Sequence, residues 1–211
     1  MQRIHTQGLV REKSVVTMMI QSWICMGVIT IVWIVIGFSM AFGVPTTGFA
    51  GDPSTYPMML NVDGTPLTYT KDGVVSVTAA AIPGIAFAGY QGMFAVITPA
   101  LMTGAFADRL RFAPYLVFIA VWLVIVYCPV CHWVWGPEGW LKEWGIFDFA
   151  GGIVVHATAG FGALASLFVL GPRTPGKGET EEDLDTPHNI PMVALGTGLL
   201  WVGWFGFNAG T

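Results

Sequence analysis

Residues 148–170 read DFAGGIVVHATAGFGALASLFVL, an apolar run opened by Asp148 and interrupted by a single further ionisable residue, His156. A helix needs about 20 mostly apolar residues to cross a bilayer, and residues 149–170 meet that length. At about 1.5 Å of rise per residue, His156 lies roughly 12 Å beyond Asp148, near the middle of the membrane. An ionisable side chain at that depth is costly and points to function. Gly152 and Gly160 stand four residues before and after His156, on the same helix face. The face around the imidazole is therefore stripped of side chains, so a neighbouring helix or a small molecule can approach it. Two readings stay open: a hydrogen-bonded histidine in close helix packing, and a neutral pore-lining imidazole that both donates and accepts a hydrogen bond.

The remainder of the chain repeats this pattern. Of its 211 residues 54% are hydrophobic and only 10% are charged, against about 25% charged in a soluble domain. Residues 15–42, 76–107, 114–131, 149–170 and 190–211 form five continuous apolar stretches, the last running to the final residue. Strands of a barrel would alternate in polarity over about ten residues, and these runs do not. The expected fold is an all-α integral membrane protein of about five transmembrane helices. Basic residues are too few, and the net charge of −4 too negative, for a nucleic-acid partner. Three cysteines do not make a disulfide scaffold. The first apolar run is too long for a signal peptide and has no small-residue cleavage site.

Charge counting orients the chain. Arg3, Arg11, Lys13, Arg109, Arg111, Arg173 and Lys177 fall on one side of the spans, and Lys71 and Lys142 on the other. Lys and Arg concentrate on the cytoplasmic side of membrane proteins, so the N-terminus and residues 108–111 and 171–189 are expected there. The acidic run Glu179, Glu181, Glu182, Asp183 and Asp185 reads as a solvated loop or as a docking surface for a cytoplasmic partner. Residues 43–75 read as an ordered or partly ordered outer loop, and residues 132–145, with four tryptophans, as an interfacial segment.

Within this frame a few side chains carry chemistry. Asp148 is either an N-cap facing the positive end of a helix dipole or a cation contact. Trp135, at the outer end of the third span, is an interfacial belt residue or an indole face for a cation. Phe94 and Phe207, taken alone, are packing residues. Cys128-Pro129-Val130-Cys131-His132 has the C-x-x-C-H form of a c-type haem attachment, which would make the chain a haem-bearing electron-transfer subunit. No catalytic constellation, metal site or other cofactor is read, and enzymatic activity is not expected.

With these residues in place, the sequence resembles the Amt/Mep/Rh family of ammonium transporters, its bacterial and archaeal Amt branch most closely. The resemblance is carried by residues 148–156, continuing through Ala159-Gly160 to Gly171-Pro172-Arg173. It extends to Tyr90-Gln91-Gly92-Met93-Phe94-Ala95, Pro129-Val130-Cys131-His132-Trp133-Val134-Trp135-Gly136, Pro187-His188-Asn189 and Trp204-Phe205-Gly206-Phe207-Asn208-Ala209-Gly210. It implies that Trp135 and Phe94 belong to an outer cation-recruitment site, with Thr211 in the place of a family serine. It implies also that Phe94 and Phe207 stack as a gate, that Asp148 supports the site, and that His156 is the first of two pore histidines. The C-x-x-C-H run falls on a block that ordinarily lacks the cysteines, which makes the haem motif a coincidence. Family members have eleven spans arranged as two inverted repeats. The five here resemble the second to sixth, so the chain reads as an N-terminal-half fragment, truncated at both ends, and a non-conducting fragment is an alternative to an active pore. Ammonium or ammonia as substrate, contact with membrane lipid, residence in the cell membrane, homotrimer assembly and a cytoplasmic PII-type regulator follow from the resemblance as expectations.

Overall fold

The computed structural model describes residues 8–79 and 82–210. Among the described residues, five helices are long and apolar enough to cross a membrane: α1 (Glu12–Phe42), α2 (Gly84–Phe106), α3 (Phe112–Glu143), α4 (Gly152–Leu170) and α5 (Ile190–Ala209). Helical backbone satisfies its own amides, which is what a span in lipid requires. Along α1, Cys25, Ile29 and Trp33 recur at helical spacing and are buried, while Val16, Ile20, Trp23 and Ile31 are equally apolar and exposed. A helix that is apolar on every side is the pattern for lipid on one face and protein on the other. The core forms where α1 meets α2 and α3, with Phe38, Phe42, Tyr115, Ile119, Leu123 and Tyr127 enclosed.

Element boundaries depart from the hydropathy reading in instructive ways. The second helix starts at Gly84 rather than Ser76, because residues 74–77 belong to a strand. β1 (Thr68–Lys71) and β2 (Val74–Val77) pair antiparallel, Lys71 opposite Val74, a short hairpin within the helical membrane fold. The turn is Asp72-Gly73, with φ of 52° and 78°, the two left-handed residues of a type I′ turn that matches strand twist. The third helix runs past residue 131 to Trp135, breaks at residues 136–139 and resumes at Trp140–Glu143. The first begins at Glu12, the fourth at Gly152, and the last closes at Ala209.

Among the described residues, three helices carry a π-helical turn: Trp33–Gly37 in α1, Leu123–Tyr127 in α3 and Gly152–Ala157 in α4. Such turns frequently accompany functional sites. Asn189 caps α5 by accepting from the Met192 amide at 2.9 Å, with Pro191 in the first turn, where proline loses nothing.

One end of the bundle is tied by long-range polar contacts. Arg11 reaches Asp108 at 2.9 Å and also meets Glu179, which Lys13 shares. Ser14 donates to Asp108. The Asn189 amide donates to the Gly8 carbonyl at 3.3 Å, and His188 Nδ1 lies 3.0 Å from the Val10 carbonyl. These contacts bring the start of α1, the end of α2 and residues 171–189 to one end of the molecule. The acidic run is not simply solvated: Glu179 is locked to the N-terminal segment, and Thr180 and Asp183 form a capping box on the short helix Glu181–Asp185.

Candidate functional site

Asp148 organises the start of α4. Its Oδ1 accepts from the amides of Gly151 and Gly152, both at 2.7 Å, and its Oδ2 from those of Ile153 and Val154 at 2.8 and 2.9 Å. These are the N–H groups that a helix start leaves unpaired, and one carboxylate takes four of them. The chain can fold back this tightly because Gly151 sits at φ +102°. A Cβ there would also fall 2.8 Å from a Val155 methyl.

The same residue fixes Trp135. The indole Nε1–H donates to the Asp148 carbonyl oxygen at 2.8 Å, which holds the half-buried ring at the junction of α3 and α4. Trp135 meets Phe94 of α2 edge-on at 5.4 Å between ring centres. Phe94 is 3% exposed and touches Phe207 of α5 at 4.8 Å with the planes tilted by 54°. Phe207 lies 5.9 Å from the His156 ring on α4. Residues from four helices thus form a continuous sequence of ring contacts from Trp135 through Phe94 and Phe207 to His156.

Two further aromatics complete this cluster. Trp204 stacks on Phe207 at 4.8 Å with a 16° interplanar angle and faces His156 at 5.6 Å. Tyr90 packs against Phe94 at 5.0 Å and donates its hydroxyl proton to the Phe207 carbonyl at 3.4 Å. Sequence reasoning gave neither a role, although Tyr90/Phe94 and Trp204/Phe207 stand four and three residues apart, on shared helix faces. An apolar groove of about 640 Å³ runs between α1, α2 and α5, lined by Ser22, Met26, Tyr90, Phe94, Trp204 and Phe207 among others. His156 is exposed. Thr211 lies outside the described residues.

The C-x-x-C-H run does not fit a haem. Cys128, Cys131 and His132 are each 0% exposed, and His132 Nδ1 sits 3.1 Å from the Ala41 carbonyl. Their helix packs directly on the end of α1. Thioether attachment needs both sulfurs on the wall of an open pocket, and here they are enclosed by protein.

A model of the Ammonium Transporter Family matches residues 3–211. An ammonium transporter of Mycobacterium bovis is 42% identical, over 97% of this chain and 45% of its own length. Ammonium transporter Amt1 of Archaeoglobus fulgidus is 38% identical, over 97% and 46%. The crystal structure of Saccharomyces cerevisiae Mep2 superposes with a TM-score of 0.81 at 38% identity, covering 99% of this chain and 45% of that one. The chain therefore spans about half the length of the relatives it matches. Its five membrane-length helices and these matches identify a multi-pass membrane protein, and the chain belongs to the Ammonium Transporter Family.

Proposed function

We infer that this chain forms part of a path for ammonium or ammonia across the membrane. The observation that supports this best is the contact sequence Trp135, Phe94, Phe207, His156. A cation over an indole face gains about 0.5–1 kcal/mol when exposed and about 2 or more when desolvated, so Trp135 with Phe94 concentrates ammonium at the outer end. Thr211 supplies a hydroxyl acceptor there. The Phe94 and Phe207 rings form a dry constriction that disfavours a hydrated ion, because an unpaired charge in an apolar channel is costly. Ammonium differs from an alkali cation of similar size in donating hydrogen bonds and in being able to lose a proton. His156, beyond the constriction, offers a nitrogen that can meet either form. Asp148 acts as support, aiming Trp135 and holding the helix start.

The same reading places residues 8–14, 108–111 and 171–189 in the cytoplasm of a cell-membrane protein. It makes the full-length parent a homotrimer that a PII-type regulator engages on that face. Labelled methylammonium uptake tests it, in cells without other ammonium transporters that express the full-length parent. Trp135→Ala is expected to raise the half-saturating concentration about tenfold, the loss of one desolvated cation–π contact. Unchanged half-saturation removes Trp135 from the path. The competing reading, a non-conducting piece, draws on the 45% coverage of the relatives. Uptake by the 211-residue chain alone, measured in the same cells, separates the two.

A further inference from the structure

A second cluster lies at the opposite end of the bundle from Trp135 and takes no part in the path. Arg109 follows the end of α2 and Arg173 follows the end of α4. Both reach the carbonyls of the last turn of α2: Arg109 Nη1 donates to Ala105 O at 3.3 Å, and Arg173 Nη2 to Gly104 O at 3.4 Å. Arg173 Nη1 also donates to Leu184 O at 3.4 Å. These are long bonds at the limit of useful geometry, from groups that carry five N–H donors each.

The two guanidinium groups are undercompensated. The Nε of each is buried without a hydrogen-bond partner, and neither joins an ion pair among the described residues. The nearby acids are committed elsewhere, Asp108 to Arg11 and Ser14, and Glu179 to Arg11 and Lys13. Burial, with the neighbouring charge of Arg173, holds Arg109 below the ordinary arginine value. The charge of Asp108 favours the Arg109 cation only in part, and two adjacent, half-buried cations compensated so thinly are unfavourable as they stand. The site follows the ends of two membrane-length helices, α2 and α4, and basic notches between such helices bind anionic headgroups.

We propose that Arg109 and Arg173 together bind a phosphate oxyanion, that of an anionic lipid headgroup, stapling the ends of α2 and α4 to residues 171–189. A phosphate offers several acceptor oxygens to two planar forks, which match it in bidentate fashion.

The test uses the purified chain in neutral detergent, titrated separately with short-chain phosphatidylglycerol and with inorganic phosphate, reading thermal stability and bound mass by native mass spectrometry. Phosphatidylglycerol is expected to bind and to raise Tm. Arg109→Gln with Arg173→Gln is expected to weaken that binding at least tenfold, the loss of charge-assisted hydrogen bonds. Arg111→Gln, at an exposed residue, is expected to leave it unchanged. Stabilisation by inorganic phosphate as well, lost in the same double variant, supports the oxyanion site with a soluble source. Should the double variant not fold, Arg109→Lys with Arg173→Lys keeps the charge, removes the fork and is expected to bind more weakly than the original. No binding of either anion by the unsubstituted chain, or equal binding by the variants and the original, overturns the proposal.

Discussion

Phe94 and Phe207 touch at 4.8 Å between ring centres although they lie on α2 and α5, far apart in the chain. This contact is central to how α5 is seated, because few of its residues are buried. The helix is held to the body by the rings of Phe207 and Trp204 and by its base at Asn189. An element attached this way gives stability and site geometry through the same side chains.

Trp204 should therefore matter to both. Trp204→Ala removes the stack on Phe207 and the face against His156. With aromatic pairs worth about 0.5–1.5 kcal/mol each beyond their burial, the expected loss is about 2 kcal/mol. That corresponds to a fall in Tm of about 4–8 °C, with faster proteolysis in residues 171–189. Trp204→Phe should recover most of it. A Tm unchanged in the alanine variant would show that α5 is held by other contacts.

Asp148 carries the start of α4, and its replacement separates cap from charge. Asp148→Ala leaves four amides without their acceptor. The expected destabilisation is about 2 kcal/mol, at the top of the range for an ordinary cap because one carboxylate serves four amides. Asp148→Asn keeps one acceptor oxygen and should lose about half as much. Denaturation in detergent measures both, and equal stability of all three proteins would contradict the cap.

Gly151, just before α4, and Gly160, within it, should respond differently. Gly151→Ala meets both a left-handed backbone and a 2.8 Å contact to Val155, and is expected to cost about 1–3 kcal/mol. At Gly160 an added methyl meets nothing within 4 Å, so Gly160→Ala should be neutral or slightly stabilising through helix propensity. Thermal unfolding of the two variants side by side decides this; a neutral Gly151→Ala would remove the strained turn.

Glu179 predicts an acid limit. The hydrogen bond from Lys13, then the Gly176 amide, hold its carboxyl down, from 4.5 to about 2. A depressed folded-state value means the contribution is complete above about pH 4.5 and is lost as pH falls towards about 2. Tm measured from pH 6 to 2 should fall through that window, and Glu179→Gln should flatten this part of the curve. An identical pH profile in the variant would show that the tie to Arg11 and Lys13 does not contribute.

Much of this architecture was legible in the sequence because lipid makes a severe demand: a span must be long, apolar and helical. His156 and Asp148 stood out as ionisable groups at and within such a run. What escaped was decided by geometry that hydropathy does not encode. Ser76 and Val77 read as the start of an apolar span, yet the turn at Asp72-Gly73 places residues 74–77 in a hairpin strand. Hydropathy likewise carried Phe149 into a helix that the Asp148 carboxylate starts at Gly152. Trp204 and Tyr90 were visible as aromatics, but only the packing of α5 against α2 and α4 brings Trp204 to His156 and Tyr90 to Phe207. The ties from Arg11 to Asp108 and Glu179 join residues distant in sequence, where no periodicity reports on contact.

The proposed path for ammonium joins His156 to the Phe94–Phe207 pair. The most direct measurement is methylammonium uptake into proteoliposomes by the full-length parent carrying His156→Ala, with reconstituted amounts matched. Flux reduced at least tenfold, or retained only with admission of alkali cations, is the predicted result, since a hydrogen-bonding group beyond a dry constriction is worth about 1.4 kcal/mol or more. Flux and ion selectivity both equal to those of the unsubstituted protein would contradict it.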